Sequence, residues 1–131
     1  MPIQNVCVIG LGSMGMGAAA SCIRAGLNTW GVDLNPAALE TLRQTGARDA
    51  QTAADGFVDQ LEAVLLLVVN AKQVNAILFG DNGLAARLKP GTVVMVSSTI
   101  SAQDAQQIEQ RLAQHQLRML DAPVSGGAAK A

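Results

Sequence analysis

The sequence predicts an α/β fold in which a doubly wound, mainly parallel sheet carries helices on both faces. Short β-branched runs alternate with amphipathic stretches along the chain, and this alternation is typical of a parallel sheet covered by helices. Turn residues separate the runs from the stretches. The first apolar run also ends in a glycine-rich turn that leads directly into a small-residue helix, as in sheets that bind a ligand at their carboxyl edge.

Six strands are expected, and the first of them hardly alternates, which predicts burial on both faces. The segment AVLLLVV from Ala63 is the least ambiguous central strand. The segments quoted for the strands are IQNVCVI, TWGVD, AVLLLVV, TVVMVSS and, for the sixth strand, LRMLDAPV.

Capping residues and apolar spacing predict the helices. The first helix runs from Met14 to Ala25 and ends at Gly26. The second begins at Asn35 and Pro36, as N-cap and first-turn proline. In the second helix Leu39 and Leu42 should face inward before a stop at Gly46, and Thr52 with Asp55 resembles a capping box before a short helix. Val74, Ile77 and Leu78 stand at helical spacing, and a further short helix is expected over 84–88. Ser101 with Asp104 forms a second capping-box pattern before a helix whose apolar face carries Ala105, Ile108 and Leu112. Turns are expected at GDNG and at Pro90 with Gly91.

Composition limits the class of protein. With 131 residues, half of them apolar, the chain should form one domain over residues 1–131. A net charge of −1 without a Lys/Arg block argues against nucleic acid or a membrane as partner. No basic leader or spanning apolar stretch is present, so a cytoplasmic location is expected. Cys7 and Cys22 should be reduced, small, buried residues, and no metal site is expected.

Gly10, Gly12 and Gly15 form the pattern G-x-G-x-x-G between the first strand and the first helix. In a Rossmann-type sheet the first glycine permits the turn, the second admits a pyrophosphate to the backbone, and the third lets the helix pack closely. Asp33 follows the last of these glycines by 18 positions, near the spacing at which an acid binds the ribose hydroxyls of a dinucleotide. Two other interpretations remain: the glycines serve packing alone, and Asp33 caps a loop beside Asn35.

The charge of Asp33 favours NAD over NADP. A carboxylate about 4 Å from the 2′-phosphate of NADP would repel it by roughly 4 kcal/mol at an effective dielectric near 20, and by less with solvent screening. Leu34 and Asn35 follow Asp33, where an arginine would be needed to receive that phosphate.

Two motifs resemble the β-hydroxyacid dehydrogenases, the group that contains 3-hydroxyisobutyrate dehydrogenase, tartronate semialdehyde reductase and L-threonate dehydrogenase. IGLGSMGMGAAASCIRAG is similar to the family's N-terminal signature, and DAPVSGGAAKA is similar to its substrate motif. ILFGDNG and VSSTIS also stand where the family keeps similar segments. VDLNPAALE, together with Asp33, favours the L-threonate dehydrogenase branch.

The resemblance implies oxidation of a small β-hydroxyacid by hydride transfer to NAD. It implies that Ser125, Gly126 and Gly127 hold the substrate carboxylate, although residues alone would favour a flexible turn there. Val69 stands where many relatives have a proline, and Asn70 also departs from the family's pattern. The implied cofactor contacts are Gly10, Leu11, Gly12, Ser13, Met14, Gly15, Asp33, Val68, Val69 and Thr99.

In this family an all-helical second domain carries the catalytic lysine and much of the dimer contact. We expect this chain to end before that domain, near the end of its dinucleotide-binding domain, to contain no catalytic residue and to be inactive alone. A homo-oligomer would form through the absent domain. Lys72, Lys89 and Lys130 are expected on the surface, and His115 near a helix end is not expected to act as a base.

Two other functions remain open. A regulatory dinucleotide-binding module would catalyse nothing and would not need the Ser-Gly-Gly turn. A methyltransferase-like domain would bind S-adenosylmethionine with a glycine loop and an acid after the second strand. The three-glycine spacing and the C-terminal motif argue against it. A binding assay that compares the dinucleotide with S-adenosylmethionine would decide.

Overall fold

A computed structural model describes residues 4–54, 56–68, 70–80, 83–97 and 100–121. The described strands are β1 (Asn5–Ile9), β2 (Asn28–Val32), β3 (Asp49–Gln51), β4 (Ala63–Leu66), β5 (Val93–Val96) and β6 (Arg118–Asp121). The described helices are α1 (Ser13–Arg24), α2 (Pro36–Thr45), α3 (Ala71–Phe79) and α4 (Ala102–Gln114), with a 3-10 helix at Val58–Gln60.

The six strands form one parallel sheet in the order β3-β2-β1-β4-β5-β6. The chain begins in the middle of the sheet, runs outward to β3, and crosses back to place β4 beside β1. The strand order therefore reverses between β1 and β4, where doubly wound sheets bind their ligands. Ile9 pairs with both Val32 and Leu66, so three strands end at the same level. The predicted fold class is confirmed.

Each face of the sheet has its own apolar core, which explains why β1 is apolar at successive positions. Val8 points into a cluster with Leu39 and Leu42 of α2. Its neighbours Cys7 and Ile9 point into the opposite cluster, which contains buried residues of β4, β5, α3 and α4. The expected burial of the first strand on both faces is confirmed.

Local signals fix the helix ends as predicted. The Asn35 side chain accepts a hydrogen bond of 2.9 Å from the Ala37 N–H, and α2 ends at Gly46 with φ +119°. Ser101 caps α4 by accepting from the Asp104 N–H at 3.1 Å.

Two local predictions were wrong, and the third of the six expected strands had no segment assigned to it. β3 has three residues with only Ala50 buried, which is too short to show an alternating pattern. The 3-10 helix begins after Phe57 without a side-chain cap, so Thr52 does not start it, and Asp55 lies outside the described residues. The segment 84–88 is a hydrogen-bonded turn and not a helix, since Pro90 follows at once and prevents continuation.

The cysteines differ in burial. Both are free; Cys7 is fully buried, whereas Cys22 is only half-buried, which corrects the expectation for the second residue. Burial raises the pKa of the Cys7 thiol to about 12 and also raises the pKa of Cys22.

Within the described ranges, no cluster of three His, Cys, Asp or Glu residues could hold a metal, and no helix is long and apolar enough to cross a bilayer.

Candidate functional site

Gly10 sits where the chain leaves β1 and turns into α1. Its N–H donates to the Val32 carbonyl oxygen at 2.9 Å, and its φ of +95° lies in the region that favours glycine. A Cβ at this position would overlap the carbonyl oxygen of Leu67, which follows β4. Gly10 is therefore required by the turn and by its close approach to the neighbouring strand.

Gly15 is required by packing of another kind. A Cβ on Gly15 would overlap the Gly10 carbonyl group, so the first turn of α1 lies directly against the loop that precedes it. Packing thus accounts for the first and third glycines of the motif without any ligand.

Packing does not account for Gly12. Its φ of −65° is open to any residue, and within the described part of the chain a Cβ there would meet no atom within 4 Å. Gly12 is also the N-cap of α1, and the described residues supply neither a capping side chain nor an acidic residue in the first turn. The first N–H groups and the positive dipole end of α1 therefore have no side-chain cap among the described residues, an arrangement that fits an anion such as a pyrophosphate.

Asp33 lies directly after β2 and connects two loops. One carboxylate oxygen accepts from the Leu11 N–H at 2.6 Å, and the other accepts from the Asn35 N–H at 2.9 Å. The loop-capping interpretation of Asp33 therefore describes a real contact. It leaves room for ligand binding, because a carboxylate offers about four acceptor positions and these two bonds use only part of them.

A cavity of about 420 Å³ opens beside Gly10 and Asp33 at the carboxyl edge of the sheet. Residues at or just after the ends of β1, β2, β3 and β4 line it, together with residues of α3. Asp33 is the one charged side chain among the described residues that line it, which are Ile9, Gly10, Val32, Asp33, Leu34, Thr52, Val68, Gln73, Ala76 and Ile77. Its place at the strand-order reversal matches the ligand position in doubly wound sheets.

A larger cavity of about 560 Å³ lies along β3, at the outer edge of the sheet. Trp30 and Phe57 contribute to its lining and stack with ring centroids 5.7 Å apart. Its lining includes no residue of the glycine turn or of β4. We take the smaller cavity as the candidate site, because it joins a carboxylate, a close-approach glycine turn and the sheet's reversal point.

The structure brings most of the predicted cofactor residues to one place. Gly10, Asp33 and Val68 line the cavity, while the buried Leu11 offers its N–H to Asp33. Gly12, Ser13, Met14 and Gly15 form the adjoining start of α1, where Met14 is 42% exposed. Outside the described residues lie Val69, Thr99, Ser125, Gly126 and Gly127.

Sequence reasoning did not assign Thr52, Gln73 or Ala76 to the site. These residues follow β3 and β4 at positions that match no cofactor-binding motif, and only the parallel topology brings them together. The lysines behave as expected where they are described: Lys72 and Lys89 are exposed and do not line the cavity, while Lys130 lies outside the described residues. His115 is the exposed C-cap of α4.

Comparison with known proteins gives consistent similarities. Residues 5–131 match the family described as the NAD binding domain of 6-phosphogluconate dehydrogenase. The chain is 76% identical over 126 residues to L-threonate dehydrogenase of Pectobacterium atrosepticum, covering 96% of this chain and 41% of that protein. It is 36% identical to NAD-dependent L-serine dehydrogenase of Pseudomonas aeruginosa, covering 98% of this chain and 43% of that protein.

A solved structure has the same fold. The crystal structure of 3-hydroxyisobutyrate dehydrogenase from Salmonella typhimurium superposes with a TM-score of 0.92 at 56% identity, covering 98% of this chain and 44% of that one. The chain thus spans about two fifths of the length of the proteins that it matches.

Proposed function

Because the chain belongs to the family of NAD binding domains of 6-phosphogluconate dehydrogenase, we propose that its glycine turn and Asp33 hold NAD along the carboxyl edge of the sheet. It is an NAD-binding domain of the kind found in hydroxyacid dehydrogenases. The pyrophosphate would lie over Gly12 and accept from the first N–H groups of α1.

The observation that carries this proposal is the open space at Gly12. Contacts within the chain explain the two other glycines of the motif, but Gly12 has no unusual backbone angle and no close neighbour among the described residues. A missing side chain there leaves the backbone open to approach from outside the chain.

The adenosine half of NAD would lie in the 420 Å³ cavity, with the ribose hydroxyls on Asp33 and the apolar surface of Val68 beneath. The same carboxylate would disfavour the 2′-phosphate of NADP. Val69 and Thr99 are proposed as further contacts, the second near the nicotinamide.

For the whole protein we infer NAD-dependent oxidation of a small β-hydroxyacid. Bound NAD supplies the acceptor for the hydride. Ser125, Gly126 and Gly127 would orient the substrate carboxylate beside the nicotinamide. The names of the similar dehydrogenases, which act on L-threonate or L-serine, support this substrate class.

We also propose that the 131-residue chain binds NAD but does not oxidise substrate alone. It spans 41% of its L-threonate dehydrogenase relative, and the resemblance assigns the catalytic lysine and the oligomer contacts to a helical domain. A cytoplasmic location and the absence of nucleic-acid partners belong to the same proposal. Incubation with NAD and L-threonate should produce no NADH, and measurable turnover would refute this part.

Calorimetric titration of the chain with NAD and with NADP tests cofactor binding. The wild-type chain should prefer NAD, and Asp33→Asn should reduce that preference at least tenfold, because it removes the charge while retaining one acceptor oxygen. Asp59→Asn is the matched control, since Asp59 is exposed on the 3-10 helix and does not line the cavity. A folded chain that binds neither dinucleotide would refute the proposal.

A further inference from the structure

The outer strand β3 has no second strand beside it in the described part of the chain. It pairs with β2, and the Gln51 carbonyl oxygen accepts from the Asp33 N–H, just beyond β2, at 3.3 Å. Backbone groups of successive strand residues point to opposite sides, so those of Ala50 point away from β2. An edge of this kind is a template on which another chain can add a strand.

Ala50 is nevertheless completely covered. Its exposed fraction is 0%, although it is the middle residue of an edge strand. Its N–H donates to a carboxylate oxygen of Asp49 at 2.8 Å, and its carbonyl oxygen accepts from the Arg43 guanidinium. Side chains therefore occupy both of the backbone groups that a neighbouring strand would need.

Two carboxylates hold Arg43 at this edge, which it reaches from the last turn of α2. One guanidinium nitrogen lies 3.3 Å from Glu40 of the same helix, and Nε lies 3.6 Å from Asp49. The Gln51 side chain donates to the Asp49 carboxylate at 3.0 and 3.2 Å, and this contact lowers the pKa of Asp49 below its ordinary value. Arg43 and Asp49 thus form an edge pair of opposite charge.

We propose that the edge pair prevents a second copy of this chain from adding its own β3 to the sheet. In an antiparallel, two-fold pairing, the Ala50 residues of the two copies would exchange both of their N–H and carbonyl hydrogen bonds. Arg43 and Asp49 already occupy these groups. They also place two charges where the incoming strand would lie, and burying charges there costs free energy. This inference is independent of dinucleotide binding.

The test combines Arg43→Ala with Asp49→Ala and measures self-association by sedimentation equilibrium. The net charge stays at −1, because one positive and one negative charge are removed, so overall repulsion between copies is unchanged. The matched control combines Arg24→Ala with Glu109→Ala, which removes the same charges from exposed positions on α1 and α4.

The variants should remain folded, because the Arg43 and Asp49 side chains are 40% and 42% exposed and their truncation leaves the apolar core intact. Urea unfolding checks this. The single variants Arg43→Ala and Asp49→Ala each free one backbone group of Ala50, and they carry the test if the double variant is unfolded.

Hydrogen–deuterium exchange at low and high protein concentration locates the contact between copies. In the double variant, concentration should slow the exchange of residues 49–51. The other outer strand, β6, carries Leu120, which is 53% exposed, and association through that edge would slow the exchange of residues 118–121 instead.

The double variant should dimerise at least tenfold more tightly than the wild-type chain and the control, because two backbone hydrogen bonds per dimer become available. Each single variant should show a smaller increase. Equal self-association of all these proteins overturns the inference. So does an increase that the exchange measurement places at residues 118–121, since the edge of β3 would then not be the surface that the edge pair protects.

Discussion

Substituting Gly12 and Gly15 separately should divide the glycine motif into a binding residue and a packing residue. Gly12→Ser adds a side chain where the described chain leaves open space, and Gly15→Ala adds one where the Gly10 carbonyl group already lies. We expect the first variant to fold normally and bind NAD poorly. The second should lose stability in the absence of any ligand.

The sizes of the two effects follow from the local geometry. At Gly12 a serine is a favourable N-cap residue, and its change in folding free energy should stay within about 0.5 kcal/mol. At Gly15 the overlap is between backbone and Cβ, so α1 must move away from the loop; overpacking of this kind costs about 1–3 kcal/mol or more. For a chain of this length the melting temperature should fall by about 4 °C for each kcal/mol.

Urea unfolding and NAD calorimetry on the same samples measure the two effects. Gly12→Ser should weaken NAD by at least tenfold, because the new side chain occupies the proposed pyrophosphate position and its hydroxyl competes for the N–H groups of α1. Gly17→Ala is the matched control: Gly17 is exposed within α1, has open space, and should gain about 0.5–1 kcal/mol without loss of NAD affinity. Unchanged NAD binding by Gly12→Ser would refute the reasoning, as would an equally stable Gly15→Ala.

Three further predictions concern folding stability. Asn35→Ala should lower the free energy of unfolding in urea by about 0.5–2 kcal/mol, because the cap on α2 is lost; an unchanged value would mean that water replaces the cap. Leu66→Ala in the central sheet should cost about 2–5 kcal/mol, whereas the exposed Leu34→Ala should stay within about 0.5 kcal/mol in the same assay. The folded pKa of Cys7, about 12 against an ordinary 9.0, means that the unfolded thiol ionises first. The stability contributed by the buried neutral thiol is therefore complete below pH 9 and falls as the pH rises, by about 1.4 kcal/mol at pH 10; Cys7→Ala should lack this part of the slope.

The fold could be predicted from the sequence because its strongest signals are local. The unbroken apolar run of β1 predicted a strand buried on both faces, and Asn35 with Pro36 predicted where α2 begins. β3 gave no such signal, because its three residues are held by pairing with β2 rather than by their own pattern. The family resemblance, carried by motifs at both ends of the chain, is confirmed.

The candidate site could be predicted only in part, since its residues come from several strands. The glycine turn and Asp33 are visible because their spacing reflects one strand-turn-helix-strand unit. Gln73 and Thr52 enter the cavity from α3 and from the end of β3. Their place depends on the sheet order, which puts β4 beside β1, and no spacing along the chain reveals it.

The structure also shows that packing and ligand binding are not competing explanations of the glycine motif. Contacts of Gly10 with Leu67, and of Gly15 with Gly10, fix the loop against the sheet and the helix against the loop. The hydrogen bond from Leu11 to Asp33 ties the same loop to the end of β2. A loop held in this way loses little conformational freedom when it binds, so more of the interaction energy remains as affinity. The packing of Gly10 and Gly15 therefore holds the loop in the shape that leaves the space at Gly12 open.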